Sequence, residues 1–272
     1  MKTEVIMSAY NNVIDLNIVL DAYLMQKDDD YSLCIADDGS DSAVAKLIEN
    51  FINKGMKIRH VWHEDKGYRR AKILNKAIQS SDAEYIIFTD SDCIPDPYFI
   101  TDHKEAASKN NYTTGVRVYL KEDISNQLRL EKLPISKLFS TFWLFLKSLQ
   151  GKVSKSEQAI RYPNLLLPLI MKTKKQMSSF GSNIAMNRES LLNINGFDED
   201  YEGWGCEDKD LLWRLEETGI TQQGEFGKCR QYHLHHKANA ENPMAKTIYS
   251  QKQEIGHIEC LNGIRKIGTV PK

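Results

Sequence analysis

The sequence lacks the marks of several large protein classes. It has no uninterrupted apolar stretch long enough to cross a bilayer, which argues against an integral membrane protein built on spanning helices. It has no excess charge of either sign: 36 Lys and Arg against 37 Asp and Glu leave a net charge of -1, so a nucleic-acid partner is not expected. Its five cysteines (Cys34, Cys93, Cys206, Cys229, Cys260) are odd in number and lack the paired spacing of a metal site or a disulfide framework. Reduced thiols and a cytoplasmic location follow as expectations. A strand pattern begins at Glu4, leaving no room for a signal peptide. No linker-like stretch divides the 272 residues, so one large domain or two tightly joined halves are expected.

What is present is an alternation of two periods. Apolar runs bounded by turn residues lie at 5–7, 33–36, 58–62 and 85–88, with helical spacing between them at 13–25, 43–51 and 71–78. A β-α-β-α-β-α-β series predicts an α/β fold with a mostly parallel sheet flanked by helices, and such sheets bind ligands beyond the carboxyl ends of their strands. The residues there are Ser8-Ala9-Tyr10-Asn11, Asp37-Asp38-Gly39-Ser40 and Asp90-Ser91-Asp92. Asp90 and Asp92 flank one residue at a strand end, where two carboxylates can meet a hard divalent cation and, through it, a diphosphate. Alone, Asp90-Ser91-Asp92 reads first as a turn, and Asp37-Asp38-Gly39-Ser40 as a turn plus a cap with the next helix starting near Ser42.

The densest signal is Tyr201-Glu202-Gly203-Trp204-Gly205-Cys206-Glu207-Asp208-Lys209-Asp210. Gly203 and Gly205 let the chain turn tightly around Trp204, which is expected to be displayed as a platform for a sugar face. Glu207, Asp208 and Asp210 then open an apolar run of helical spacing (Leu211, Leu212, Leu215). Acids in a first helical turn are ordinarily a cap, but a cap has no need of the tryptophan.

Together these motifs resemble two related groups. The strand-end segments of the first half are similar to glycosyltransferase family 2, whose members have the GT-A fold. Tyr68-Arg69-Arg70-Ala71-Lys72-Ile73-Leu74-Asn75, Asn195-Gly196-Phe197 and Gly203-Trp204-Gly205-Cys206-Glu207-Asp208 resemble the β-1,4-galactosyltransferases and bacterial chondroitin-polymerase-like enzymes. The resemblance covers most of the chain except about 121 to 175. It implies a Rossmann-like nucleotide-sugar half (1–110), a helical insertion (111–175) and an acceptor-binding half (176–272) in one continuous domain.

The resemblance also implies roles. Ser8, Tyr10 and Asp38 surround a uracil, Arg70 approaches the diphosphate, and Asp90, Ser91 and Ser182 face the donor's ribose or sugar. Ser182 lies in Phe180-Gly181-Ser182-Asn183, which by itself reads equally as a strand-end turn. Asp92 and a late histidine hold Mn2+ or Mg2+; the family pattern picks His233, with His236 in reserve. If 232–235 is a strand, His233 and His235 share a face and spacing alone leaves both open. A methionine that binds the metal in the galactosyltransferases is missing; Arg230 and Gln231 stand near its place. Asp208 matches the base that deprotonates the acceptor hydroxyl, and Glu207 the residue that holds the acceptor beside Trp204. Lys209 replaces an acid of the galactosyltransferases, so acceptor recognition is expected to differ.

The implied activity is inverting transfer of a hexose or N-acetylhexosamine, with galactose or N-acetylgalactosamine favoured. The donor is a UDP-sugar and the acceptor a glycan or polyprenyl-linked saccharide of a bacterial surface polysaccharide. A nucleotidyltransferase would share the acidic pair without needing Trp204, and a carbohydrate-binding module would need Trp204 without the metal site. In the unmatched middle, 133–149 reads as an aromatic-rich amphipathic helix. Residues 165–171, nearly all apolar, precede Lys172, Lys174 and Lys175. Core packing is the first reading there, and peripheral contact with the inner membrane face the second.

Overall fold

A computed structural model describes residues 1–161, 181–237 and 240–267. The expected alternation opens the chain: β1 (Thr3–Ala9), α1 (Val13–Tyr23), β2 (Ser32–Asp37), α2 (Ser42–Asn53), β3 (Ile58–Trp62), α3 (Arg70–Gln79) and β4 (Tyr85–Asp90). Then come β5 (Cys93–Pro95), α4 (Phe99–Ala106), β6 (Asn111–Thr114), β7 (Arg117–Leu120), α5 (Glu122–Arg129), α6 (Thr141–Leu149) and β8 (Val153–Ser154). The described remainder adds β9 (Asn183–Asn187), α7 (Arg188–Asn193), α8 (Glu207–Glu217), β10 (Thr221–Gly224), β11 (Gln231–His233) and α9 (Ala245–Ile255).

Among the described residues, seven strands form the main sheet in the order β10-β6-β9-β4-β1-β2-β3. Strands β1 to β4 are parallel, and β9 runs antiparallel between β4 and β6. Successive side chains of a strand point to opposite faces, so each strand feeds two cores. Val5, Met7, Leu33, Ile35 and Ile87 enter one; Ile6, Cys34, Ala36, Ile86 and Phe88 enter the other. That is why β1 and β4 carry unbroken apolar runs at 5–7 and 85–88: both of their faces are covered. A smaller sheet, β5-β11-β7-β8, stands beside the carboxyl end of β4. None of the helices among the described residues is long and apolar enough to cross a membrane.

Two expectations change. The region read as a helical insertion from 111 begins with β6, a strand of the main sheet, and β7, a strand of the small one; helices start only at Glu122. Short strands of four residues carry too little alternation to be seen by periodicity. The helix read at 133–149 is two pieces, a 3₁₀ turn at Ile135–Phe139 and α6. Ser140 divides them, its backbone extended and its hydroxyl accepting from Trp143 N at 3.3 Å. Leu138 and Leu144 are buried while Phe142, Phe145 and Leu149 face outward. Phe180, the apolar run at 165–171 and the lysines after it lie outside the described residues.

The Asn75 and Asn195-Gly196-Phe197 motifs are a structural joint. Asn75, buried on α3, donates through Nδ2 to Phe197 O at 2.8 Å and accepts from Phe197 N at 2.9 Å. Gly196 has φ +72°, and a Cβ there would collide with Asn75 Oδ1. The joint fixes the loop that leads to Trp204 against the helix that begins with Arg70. Asn75→Ala strips both backbone groups of their buried partner and is expected to lower stability by about 2–3 kcal/mol, read as a lower denaturation midpoint with an unchanged denaturant slope.

Candidate active site

Parallel register brings the strand-end residues together. Ser8 stands opposite Asp90 and Ala9 opposite Asp37. Ser8 Oγ donates to Asp90 Oδ1 at 2.6 Å, and Ser91 N donates to Ser8 O at 3.1 Å. Asp38 is nearly buried: its Oδ2 accepts from Arg69 N at 2.7 Å and its Oδ1 lies 2.6 Å from His63 Nε2. Burial raises the Asp38 carboxyl above its ordinary value against the opposing pull of these partners. His63 drew no notice in the sequence because a lone histidine after a strand has no periodic signature. Tyr10 stands at the rim, 51% exposed, its hydroxyl donating to Asp65 Oδ2 at 2.9 Å.

Arg70 occupies the centre. The first residue of α3, it is 7% exposed and contacts Asp90 at 3.2 Å, Asp208 at 2.9 Å and Glu207 at 3.5 Å. Burial alone would make the guanidinium easier to deprotonate; Asp208, Asp90 and Glu207 reverse that and hold it charged. Acids separated by more than a hundred residues thus share one cation.

The acids of α8 do not cap their own helix in the ordinary way. Cys206, at the N-cap, has φ +65° and makes no side-chain cap bond. Glu207 turns back, Oε2 accepting from Gly205 N at 3.1 Å, and Asp208 Oδ2 accepts from Gly181 N at 3.1 Å. Any Cβ at Gly181 would overlap the Asp208 carboxylate. Asp210 faces inward, paired with Arg214 at 2.7 Å. Trp204 is 44% exposed, as its flanking glycines suggest. Its loop is held at both ends, Gly203 N on Tyr68 O at 3.1 Å and Asn242 N on Trp204 O at 2.8 Å. Ser182 is buried and its hydroxyl accepts from Arg117 Nη1 at 2.6 Å, a partner no motif signalled.

Across the site, Asp92 meets two histidines. His233 Nε2 lies 3.6 Å from Asp92 Oδ2 and His236 Nε2 only 3.0 Å. His235 diverges because β11 ends at His233; its backbone N donates to Ser125 Oγ and its carbonyl accepts from Arg129. Gln231 is fully buried, its amide donating to Thr89 Oγ1 at 2.7 Å. Burial raises the Asp92 carboxyl, but the hydrogen bond from His236 and the charges of both histidines outweigh it and leave it below its ordinary value. The bond to Asp92 raises His236 to about 9. Ligand atoms of Asp92, Cys93 and His233 lie within 4.8 Å of one another, close enough to share one divalent cation.

Residues 4–166 match the family described as glycosyl transferase family 2. The chain belongs to that family. Residues 170–237 of this family 2 member match the N-terminal domain of galactosyltransferase, so both halves of the resemblance hold. Chondroitin synthase of Escherichia coli is 26% identical over 224 residues, 79% of this chain and 32% of that protein. Beta-1,4-galactosyltransferase 1 of Bos taurus is 40% identical over 89 residues, 31% of this chain and 22% of its own length. The chain therefore spans about a third or less of these relatives.

Solved structures share the fold. TarS 1-349 of S. aureus in complex with UDP-GlcNAc gives a TM-score of 0.64 at 14% identity, covering 98% of this chain and 68% of that one. The mannosyltransferase PcManGT from Pyrobaculum calidifontis, in complex with GDP-Man and Mn2+, gives 0.57 at 16%, covering 94% and 62%. The α/β fold of the family 2 member is the GT-A type expected from its sequence.

Burial and the neighbouring Asp208 carboxylate raise Glu207 from 4.5 to about 7, more than the longer contact to Arg70 lowers it. A carboxyl raised on folding binds its proton more tightly in the folded state, so this contribution to stability is full below about pH 4.5 and is lost as pH rises through about 7. Glu207→Gln removes that dependence. Thermal unfolding from pH 4 to 8 should show the parent losing on the order of a few kcal/mol relative to the variant as pH rises.

Proposed function

We propose that the chain is a metal-dependent, inverting glycosyltransferase that moves a hexose or N-acetylhexosamine, galactose or N-acetylgalactosamine foremost, from a UDP-sugar to a glycan or polyprenyl-linked acceptor. The observation that carries the reading is Arg70, in contact at once with Asp90 of the strand ends and with Glu207 and Asp208 of α8. It sets an acidic strand-end site directly against a carboxylate pair beside an exposed tryptophan.

On the donor side, Asp38, Ser8 and Tyr10 receive the base, with the Asp38 carboxylate as acceptor for a ring N–H. Asp90, Ser91 and Ser182 line the ribose and sugar. Asp92 and His233 would hold Mn2+ or Mg2+, which supplies charge neutralisation for the departing diphosphate. In keeping with this reading, the mannosyltransferase of like fold is solved in complex with GDP-Man and Mn2+, and TarS in complex with UDP-GlcNAc.

On the acceptor side, Trp204 stacks against a sugar face and Glu207 holds a hydroxyl. Asp208 removes the proton from the attacking hydroxyl as the anomeric bond to the diphosphate breaks on the opposite face, which inverts the configuration. Arg70 connects the two sides. A donor diphosphate competes with Asp208 for the guanidinium, and the carboxylate it releases is free to act as base. Surface polysaccharide synthesis is the setting we assign, in keeping with the chondroitin synthase likeness. The outward Phe142, Phe145 and Leu149 support a peripheral approach to a lipid-linked acceptor on the cytoplasmic face.

Calorimetry of UDP with and without Mn2+, followed by transfer assays over a panel of UDP-sugars, tests the reading. Asp208→Asn is expected to keep metal-dependent UDP binding while transfer falls roughly 10²–10⁴-fold. Transfer at the parent rate would remove Asp208 as the base. Absence of nucleotide binding would remove the donor site.

A further inference from the structure

We infer that Cys93 is a sulfur ligand in the Asp92 and His233 metal site, and that the site therefore holds thiophilic divalent cations (Co2+, Zn2+, Cd2+) more tightly than Mg2+. The inference rests on the proposed reading that Asp92 and His233 bind a metal, and adds a donor atom that no motif assigns.

The geometry comes from the small sheet. β5 and β11 pair antiparallel with Cys93 directly opposite His233, and side chains of directly opposed residues lie on the same face. Asp92 immediately precedes Cys93 and brings its carboxylate to the same point: Cys93 Sγ lies 3.4 Å from Asp92 Oδ1. One oxygen, one sulfur and one nitrogen thus lie within 4.8 Å of one another. The separations from the Asp92 carboxylate, 3.4 Å from Oδ1 to Cys93 Sγ and 3.6 Å from Oδ2 to His233 Nε2, are those of ligands bonded at about 2.0–2.3 Å to one ion. The site is also stiff. Cys93 is fully buried, Leu234 N is tied to Asp92 O at 2.9 Å, and the Tyr119 ring stands 5.5 Å from the His233 ring.

Donor softness then sets the order of ions. Carboxylate suits Mg2+ and Mn2+ and imidazole suits ions such as Zn2+, and a thiolate sulfur moves the preference further towards soft ions. When such an ion binds, the metal–sulfur bond forms as the thiol proton passes to solvent, so binding carries one proton release from Cys93. The other four cysteines are placed elsewhere: Cys34 in the sheet core, Cys206 at the start of α8, Cys229 with its backbone N on Asp102, and Cys260 with Sγ on Asn195 O. A sulfur signal from the metal site therefore reports Cys93.

Co2+ alone, titrated into the full chain, should develop a sulfur-to-cobalt charge-transfer band in the near ultraviolet that saturates at one ion per chain. Cys93→Ser should lose the band and weaken Cd2+ binding by roughly tenfold or more, with Mg2+ binding changed by less than about twofold. Asp92→Asn and His233→Ala should lose the band although Cys93 remains. Co2+ binding in the parent without a band overturns the sulfur ligand and leaves the metal site standing, and this reading needs no variant to fold. A band that survives Cys93→Ser, or survives both Asp92→Asn and His233→Ala, overturns it too. Failure of the parent to bind Co2+, Cd2+ or Mn2+ overturns the metal site along with it.

Discussion

The buried guanidinium of Arg70 is the constraint on which the site depends. A charge taken out of water needs close counter-charges, and Arg70 finds three, from β4 and from the start of α8. The attraction runs both ways. Glu207, Asp208 and Asp90 would repel one another at these separations without the cation among them. The cluster therefore holds the strand-end half and the Trp204 half in fixed relation, while leaving Asp208 and Asp90 partly open to solvent. The proposed diphosphate would draw on the same cation.

Neutral parts of the structure aim that cluster. Asn75 joins α3 to the 195–197 loop through two backbone hydrogen bonds, and Gly181 lets the backbone approach Asp208 where any side chain would collide. The strand pairing of β5 with β11 plays the same part on the opposite side, setting Asp92, Cys93 and His233 around one point. In each case the residue type follows from a geometric demand: an amide to meet an N–H and a C=O, a glycine to admit a carboxylate, a short strand to bring late residues to an early one.

Much of this was legible in the residues. The alternation of periods through the first ninety positions marks β1 to β4 and the helices between them, since strands covered on both faces must be apolar throughout. The exposure of Trp204 follows from its two glycines. The short strands β6 and β7 were not legible, because four residues hold only two repeats of the pattern and their partners lie far along the chain. Ser140 breaks a helix that its apolar neighbours would continue, because its hydroxyl serves as a cap. His63 and Arg117 escaped notice for a related reason. Each matters only through a partner brought up by folding, Asp38 for one and Ser182 for the other.

By itself the sequence determined the family, the α/β order of the first half and the identity of most acids at the site, because these are written in local patterns and ordered motifs. Tertiary structure alone decided who meets whom. It made Arg70 the shared partner of acids from opposite ends of the chain and turned Glu207 and Asp208 from cap residues into a pair on one guanidinium, Glu207 buried and Asp208 partly open. It also sent His235 away while drawing His236 to Asp92, and set a thiol beside the proposed metal ligands. The physical reason is the same throughout. Local pattern fixes which face a residue takes on its own element, whereas distance between elements is fixed only when strands pair and buried charges find their counter-ions.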